Sequence, residues 1–278
     1  MALQNQLARI HNLLGQSNTI TKFALKIRNQ ANAIVGAHFS GLDDPALNGE
    51  YALIDIVAPA AVNFIDVGAN KGNWSSRFVA RMKTPCGLIV DANSRCIESL
   101  RAKFRNNPDL TIVHAALSDY CGENIFYEGE EDFGISPSAH SAHSAFTPFG
   151  HPLTSFVKKR SIVSTLDDEV KKLGWTNVSM LKIDAEGHDF FVLRGARKLL
   201  EQKRIDFVQF ECNFTWNATG INIVAAVRYL AEFDYQVFQL RAEGLRAIDT
   251  DKYGSSCGSA NWLAFHPQSP NLPLRIFS

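Results

Sequence analysis

The chain has 278 residues, and its 28 basic and 28 acidic residues cancel at neutral pH. This balance gives no electrostatic case for binding to nucleic acid or to an anionic membrane. A hydrophobic content of 46% with 19 Phe supports the core of one sizeable domain with extensions. The sequence shows neither an apolar run of the ~20 residues that span a membrane nor a signal-peptide pattern at its start. Its five cysteines have no C-x-x-C spacing. We therefore expect a reduced, cytoplasmic protein.

The first 58 residues are predicted to be a helical extension of the main domain. Apolar residues recur at helical spacing through residues 3–14 and again through residues 23–34, with a break near Gly15. We expect two helices that cover the core of the main domain or pack on a partner chain, and substrate gating or homo-oligomerisation are the alternatives. A further short helix is predicted over residues 51–57.

Residues 59–278 show short apolar runs that alternate with amphipathic segments of about ten residues. This alternation predicts an α/β fold with a doubly wound, mainly parallel, Rossmann-like sheet. One of the last two strands is close enough to its neighbour to be antiparallel. The predicted strands are residues 62–67, 87–91, 110–116, 180–184, 205–211, 235–240 and 261–266, and the predicted helices are residues 74–82, 94–104, 189–202 and 221–233.

Residues 120–165 interrupt this alternation between the third and fourth strands. Residues 124–127 and 160–164 are predicted to pair as a hairpin around a piece rich in Ser, Ala, His and Pro. A loop this long inside a compact domain is typical of a lid over a substrate. Metal binding or acid–base chemistry by the three histidines of the loop is the alternative. These histidines are His140, His143 and His151.

The stretch from Asn63 to Trp74 joins a buried strand to a helix through a glycine turn. This is how α/β proteins build a cradle for a small molecule. Gly68 and Gly72 lack the Cβ atoms that would block a ligand from the backbone. Asp66 lies near the carboxyl end of the strand, and its carboxylate favours a cationic or hydroxyl-rich ligand over a pyrophosphate.

Two further carboxylates follow the next two strands. Asp91 comes roughly 20 residues after the glycine turn, the spacing at which an acidic residue meets ribose hydroxyls. Asp119 follows the third strand, where its carboxylate could accept a hydrogen bond from an exocyclic amine such as that of adenine. Each could instead cap a helix or a turn. Together with Asp66, they predict a site for a nucleoside.

The spacing of the glycines separates the candidate nucleoside cofactors. The turn has the pattern G-x-x-x-G after Asp66, and the chain lacks both the G-x-G-x-x-G of dinucleotide sites and the Walker lysine. An oxidoreductase or sugar-nucleotide enzyme on a Rossmann fold is therefore disfavoured. A non-catalytic cofactor-binding module is a further alternative, and the set of Asp66, Asp91 and Asp184 argues against it.

The chain resembles the FkbM family of class I S-adenosylmethionine-dependent methyltransferases over about residues 60–215. The resemblance implies a seven-stranded methyltransferase sheet and S-adenosylmethionine as methyl donor. It also implies O-methylation of a hydroxyl on a sugar, glycan, glycolipid or secondary metabolite. The segments that carry it are DVGANKG (66–72), ALSD (116–119), TLDD (165–168) and KIDAEGHDFFVLRGA (182–196).

The resemblance also assigns residues to the cofactor. The residues of the glycine turn would hold its amino-acid end, Asp91 its ribose, and Ser118 and Asp119 its adenine. The family commonly has Glu-Pro where this chain has Asp91-Ala92, and it often has Glu where this chain has Asp189, which is therefore not taken as catalytic. The implied cofactor-binding residues are Asp66, Gly68, Asn70, Gly72, Asp91, Ala92, Ser118 and Asp119.

Methyl transfer to a hydroxyl requires in-line alignment and a base for the hydroxyl proton. Lys182, Asp184 and Glu186 alternate with period two near the end of the fourth strand, so they point to one side if the strand continues. Asp184 is the first candidate for the base, followed by Glu186, Glu211 and His188. Lys182 could alternatively form a buried ion pair with one of these carboxylates. Asp184, Glu186 and Glu211 could also hold Mg²⁺ or Ca²⁺, although cofactor binding without a metal is the simpler arrangement.

Overall fold

The structure is a computed structural model, and it describes residues 2–128, 134–135, 157–269 and 276–277. It contains two compact units, Met1–Ser40 and Gly41–Ser278. The division comes earlier than the predicted boundary at residue 58, because the helix Glu50–Val57 belongs to the second unit and buries Leu53 and Ile54 completely. The three histidines of the predicted lid lie outside the described residues.

The first unit consists of two helices, α1 (Ala2–Gly15) and α2 (Asn18–Phe39). The predicted break near Gly15 is confirmed, and Ser17 begins α2 because its Oγ accepts a hydrogen bond from the backbone N of Ile20. No residue of α2 is buried. None of the helices that the structure describes is long and apolar enough to cross a membrane.

The described part of the second unit has thirteen strands and eight α-helices. The strands are β1 (Phe64–Val67), β2 (Gly87–Asp91), β3 (Leu110–His114), β4 (Ala116–Leu117), β5 (Gly122–Glu128), β6 (Gly134–Ile135), β7 (Val157–Ser164), β8 (Val178–Ile183), β9 (Ile205–Cys212), β10 (Gln236–Arg241), β11 (Gly244–Arg246), β12 (Ala260–Phe265) and β13 (Ile276–Phe277). The helices are α3 (Glu50–Val57), α4 (Asn73–Val79), α5 (Ser94–Lys103), α6 (Leu166–Leu173), α7 (Asp189–Arg194), α8 (Arg197–Glu201), α9 (Ile223–Ala231) and α10 (Thr250–Tyr253), and 3-10 turns cover Phe214–Thr219 and Gly254–Ser256.

Nine of these strands form the main sheet, in the order β13-β11-β10-β12-β9-β8-β1-β2-β3. Strands β3, β2, β1, β8 and β9 are parallel, whereas β12 is antiparallel to both β9 and β10. The predicted doubly wound sheet with a late antiparallel strand is therefore confirmed, and the short strands β11 and β13 extend it beyond the predicted seven. The chain moves outward from β1 to β3 and returns to the other side of β1 with β8, which makes the β1–β8 boundary a topological switch point.

Strands β1 and β8 are buried along their whole length, because apolar residues face both sides of the central sheet. Two helix predictions differ from the structure. The predicted helix over residues 189–202 is broken into α7 and α8 near Gly195, where a Cβ would lie 2.0 Å from the carbonyl oxygen of Ser118. Helix α6 was missed, although Thr165 caps it by accepting from the backbone N of Asp168, and Gly174 ends it with a φ of 67°.

The predicted hairpin is confirmed and is longer than expected, because β5 pairs antiparallel with β7 over its whole length. They belong to a second sheet with the order β4-β7-β5-β6. The predicted strand over residues 110–116 is split between the two sheets: β3 ends at His114, and Ala116 pairs with Val163 of β7. The hairpin is thereby attached to the carboxyl end of the main sheet.

Candidate functional site

A cavity of about 990 Å³, including the part open to solvent, lies at the carboxyl ends of β1, β2 and β8. One side is formed by the glycine turn and by the residues that follow β2. The opposite side is formed by the hairpin and is called the hairpin wall here. The hairpin wall consists of Tyr120, Asn124, Ile125, Phe126, Ser161 and Val163. The cavity therefore lies at the switch point, where open α/β sheets bind their ligands.

The two glycines of the turn have different roles. Gly68 lines the cavity with a φ of 74°, and a Cβ on it would lie 1.9 Å from the carbonyl oxygen of Asp184. Only glycine fits there, because the ends of β1 and β8 are in contact. Gly72 has a φ of 69°, and its missing Cβ makes room for the side chains of Leu100 and Phe104. The structure therefore places Gly72 in the packing of α4 against α5, away from the cavity lining.

Asp66 is completely buried behind the turn. Its carboxylate accepts a hydrogen bond from Ser75 Oγ at 2.5 Å and lies 3.6 Å from Lys182 Nζ. Lys182 Nζ also lies 3.2 Å from Asp184, so one ammonium joins the strands on both sides of the switch point. Burial opposes the ammonium charge, but Asp184, Asp66 and Glu50 outweigh it and raise the pKa of Lys182. Asp66 and Lys182 thus stabilise the strands that lead into the turn.

Asp91 lies in the cavity with its carboxylate held by the backbone. Its two oxygens accept from the N of Asn70 and the N of Asn93, each at 2.8 Å, and burial raises its pKa to about 6. Asn70, with a φ of 49°, and Ala92 line the cavity on either side of it. Each carboxylate oxygen retains a second lone pair, so Asp91 can still accept from two ligand hydroxyls.

Asn93 is a cavity residue that the sequence argument missed. It is 2% exposed, and its Oδ1 accepts from the N of Arg95, which caps α5. Its Nδ2 has no hydrogen-bond partner among the residues that the structure describes. Buried amide groups are normally paired, so this donor fits a ligand acceptor. An Asn before a helix signals a cap, but nothing in the sequence shows that its amide nitrogen stays available.

The predicted adenine residues form a hydrogen-bonded group with a predicted base. Ser118 Oγ lies 3.2 Å from Asp119 Oδ1 and 2.9 Å from His188 Nε2, and Asp119 pairs with Arg194 at 3.1 Å. Burial lowers the pKa of His188 to about 4, so its ring is neutral at neutral pH. Ser118 Oγ therefore links the carboxylate of Asp119 to the ring of His188. Ser118 and His188 line the cavity, whereas Asp119 lies behind them.

Carboxylates converge beyond the end of β8. Asp184 and Glu186 line the cavity, and Glu186 has a φ of 49°. Burial and the charges of Asp184 and Asp189 raise the pKa of Glu186 to about 7, and burial with the same neighbours raises that of Glu211 to about 9. Asp189 accepts from the N of Ala185 and of Gly187, each at 3.1 Å, and so shapes the loop after β8.

The described residues do not form the alternative metal site at Asp184, Glu186 and Glu211. Within the described ranges, no group of three or more His, Cys, Asp or Glu side chains is arranged to hold a metal ion. The three carboxylates share an acidic environment without forming a ligand set.

The hairpin is held against helix α5 by an ion pair whose carboxylate is buried. Glu128, at the end of β5, is 3% exposed and accepts from the N and Oγ of Ser94 at 2.9 and 3.0 Å. Lys159 of β7 lies 2.6 Å from the same carboxylate. Burial alone would raise the pKa of Glu128, but the hydrogen bonds from Lys159 and Ser94 outweigh it and lower the pKa. This contact holds the hairpin against the segment that carries Asp91.

The fold and this site define a class of Rossmann-like protein with a nucleoside-type pocket at the switch point of its sheet. The family model described as "Methyltransferase FkbM domain" matches residues 66–237, which is more than half of the chain. The chain therefore belongs to the FkbM methyltransferase family, and the resemblance drawn from its motifs is confirmed.

Solved structures with similar folds include a methyltransferase FkbM from Methylobacillus flagellatus, with 12% identity, a TM-score of 0.46 and coverage of 72% of this chain and 43% of that one. An rRNA methylase from Streptococcus thermophilus has 8% identity, a TM-score of 0.43 and coverage of 79% and 95%. A Streptococcus mutans protein in complex with SAH has 8% identity, a TM-score of 0.43 and coverage of 78% and 97%. Among curated proteins, none matches this sequence.

Proposed function

We propose that the protein is an S-adenosylmethionine-dependent methyltransferase that methylates a hydroxyl of a sugar, a glycan or a secondary metabolite. The observation that carries this proposal is the cavity itself. Its lining includes the backbone-held carboxylate of Asp91, the side chains of Asp184 and Glu186, and Asn93, whose Nδ2 lacks a partner among the described residues. Membership of the FkbM family supports the same reaction class.

The donor and acceptor groups of the cavity fit a nucleoside with an amino-acid tail. The free lone pairs of Asp91 suit ribose hydroxyls, and Asn93 Nδ2 suits a ring nitrogen or a ribose oxygen. Ser118 and His188 provide a neutral polar edge for a base. Gly68 and Asn70 leave the backbone open where the amino-acid end would lie, and Asp66 would act on that end only through the turn it supports.

When bound, S-adenosylmethionine supplies a methyl group that is already activated on a sulfonium. The protein must therefore align the acceptor oxygen and remove its proton. The carboxylate of Asp184 is engaged in an ion pair with Lys182, whose Nζ lies 3.2 Å away. Glu186 forms no ion pair with any described residue, and its pKa near 7 suits proton removal at neutral pH. Glu186 is thus the first candidate for the base, with Asp184 orienting the acceptor hydroxyl.

Transfer of a labelled methyl group tests this function. We expect S-adenosylmethionine and a panel of polyol, glycoside and phenolic acceptors to give an alkali-stable methyl ether, together with the demethylated cofactor. Glu186→Gln should bind the cofactor normally and lose most turnover, whereas Asp184→Asn should raise the acceptor KM. Methyl transfer to nitrogen or carbon alone would contradict the O-methylation, and cofactor binding with no transfer to any acceptor would favour a non-catalytic binding module. A cytoplasmic location stays a prediction.

A further inference from the structure

The charges of this neutral chain are segregated between its two units. The first 40 residues carry four of the 28 basic residues, Arg9, Lys22, Lys26 and Arg28, and none of the 28 acidic ones. The remainder therefore has 24 basic residues against 28 acidic ones. Whole-chain neutrality, which argued against an anionic partner, thus conceals a first unit with a net positive charge of four.

The same unit exposes an apolar stripe. Ile20, Phe23, Ile27 and Ile34 follow one another at intervals of three, four and seven residues along α2, so they lie on one face of the helix. Their exposures are 43%, 65%, 56% and 71%, and no residue of α2 is buried. Several large apolar side chains exposed along one face of a helix mark a surface that meets another apolar phase.

Helix α1 repeats this arrangement. Leu7, Ile10 and Leu14 lie along one face and are 46%, 52% and 45% exposed. The basic residues of α2 flank its stripe, with Lys22 and Lys26 one turn apart on one side and Arg28 on the other. Long basic side chains beside an apolar face can extend toward anionic headgroups while the face enters the acyl boundary.

We propose that α1 and α2 form a membrane-surface anchor that binds an anionic phospholipid bilayer. Both components of interfacial binding are present, namely an exposed apolar face and basic residues without acidic neighbours. A second copy meeting the same surface is disfavoured by charge. An isologous contact would bring four positive charges against four others, and the unit has no acidic residue to pair with them. Neither helix crosses the bilayer, so the attachment is reversible.

Vesicle co-sedimentation of the full-length protein tests the anchor. The probes are vesicles of phosphatidylcholine with roughly one-third phosphatidylglycerol, and vesicles of phosphatidylcholine alone. We expect strong binding to the anionic vesicles, weak binding to the neutral ones, and release as salt is raised. Each basic residue near an anionic surface strengthens binding roughly fivefold, so Lys22→Gln with Lys26→Gln should weaken it roughly 30-fold.

Matched variants separate the charge effect from the apolar effect. Lys83→Gln with Arg105→Gln removes the same charge from exposed positions of the second unit and should leave vesicle binding unchanged. Phe23→Gln with Ile27→Gln should abolish binding, whereas Leu25→Gln, on the opposite face of α2, should not.

Three results would overturn the anchor. They are absence of binding to anionic vesicles, equal binding to neutral ones, and equal weakening by the two charge-removing pairs. Light scattering coupled to gel filtration provides a further check on whether a bilayer or a second copy of the chain covers the apolar stripe. If the wild type self-associates and Phe23→Gln with Ile27→Gln abolishes that association but not vesicle binding, the stripe belongs to a second copy and the proposal is wrong. None of these measurements depends on cofactor binding or turnover.

Discussion

Lys182 joins the two strands at the switch point, so its replacement should destabilise the second unit strongly. Its ammonium lies 3.6 Å from Asp66 and 3.2 Å from Asp184, with side chains that are 9%, 0% and 35% exposed. Replacing Lys182 with Met leaves the carboxylate of Asp66 buried, with Ser75 as its one side-chain partner among the described residues. Loss of one member of a buried pair costs about 3–5 kcal/mol, because the remaining charge is left uncompensated.

A surface ion pair provides the matched comparison. Arg228 and Asp251 are closer, at 2.7 Å, but both side chains are 72% exposed. At an effective dielectric constant of about 20, the buried separation corresponds to about 4–5 kcal/mol. The shorter surface contact is worth roughly 1 kcal/mol or less, because water screens it and two long side chains must be ordered. Arg228→Met should therefore leave the stability nearly unchanged.

Urea denaturation and thermal unfolding measure this difference. Lys182→Met should lower the melting temperature by roughly 10 °C, since each kcal/mol corresponds to about 2–4 °C in a unit of this size. Adding Asp66→Asn should recover part of the loss, because it removes the stranded charge. Equal stabilities for Lys182→Met and Arg228→Met, or no recovery in the double variant, would refute the reasoning.

Three further predictions concern the cavity. Glu128→Gln removes a charge-assisted contact worth about 1.5–3 kcal/mol, so S-adenosylhomocysteine should bind roughly tenfold more weakly. The matched control is Glu123→Gln, in an exposed ion pair of the same hairpin, which should bind S-adenosylhomocysteine as the wild type does. Asn93→Ser keeps a capping oxygen for α5 but removes Nδ2, so calorimetry should show weaker cofactor binding with little change in melting temperature. Unchanged affinity would exclude Asn93 as a ligand donor. The pKa of Glu186 is about 7 in the folded protein against an ordinary 4.5, so between these two pH values the folded state holds a proton that the unfolded state has lost. The free energy of unfolding should therefore fall by roughly 3 kcal/mol as the pH rises from 4.5 to about 7. Glu186→Gln should flatten that decline, and an unchanged pH profile would contradict the prediction.

The central sheet could be predicted because its signals are local. Buried parallel strands such as GLIVD appear as continuous apolar runs, and β2 begins and ends where it was expected. The hairpin was also recognised, although its length was not. The need for glycine at position 195 could not be predicted, because it comes from the close approach of the Ser118 carbonyl, far away in the sequence.

The candidate site was predictable only at the level of residue types. Asp91 was assigned from its spacing after the glycine turn, and the structure places it in the cavity. Asp66 and Gly72 share that turn, yet one is buried against Lys182 and the other packs against α5. The sequence shows which residues surround a turn, but the direction of each side chain depends on neighbours brought in from other strands. For the same reason the sequence did not predict Asn93 as a residue of the cavity.

Equilibrium binding of S-adenosylhomocysteine tests the proposed cofactor site most directly. Isothermal titration should give about micromolar affinity for the wild type. Asp91→Ala should bind at least roughly tenfold more weakly, because the ribose hydroxyls lose a charged acceptor, while Asp109→Ala, an exposed matched control, should bind normally. No binding to the wild type, or equal affinity for the wild type and Asp91→Ala, would contradict the account.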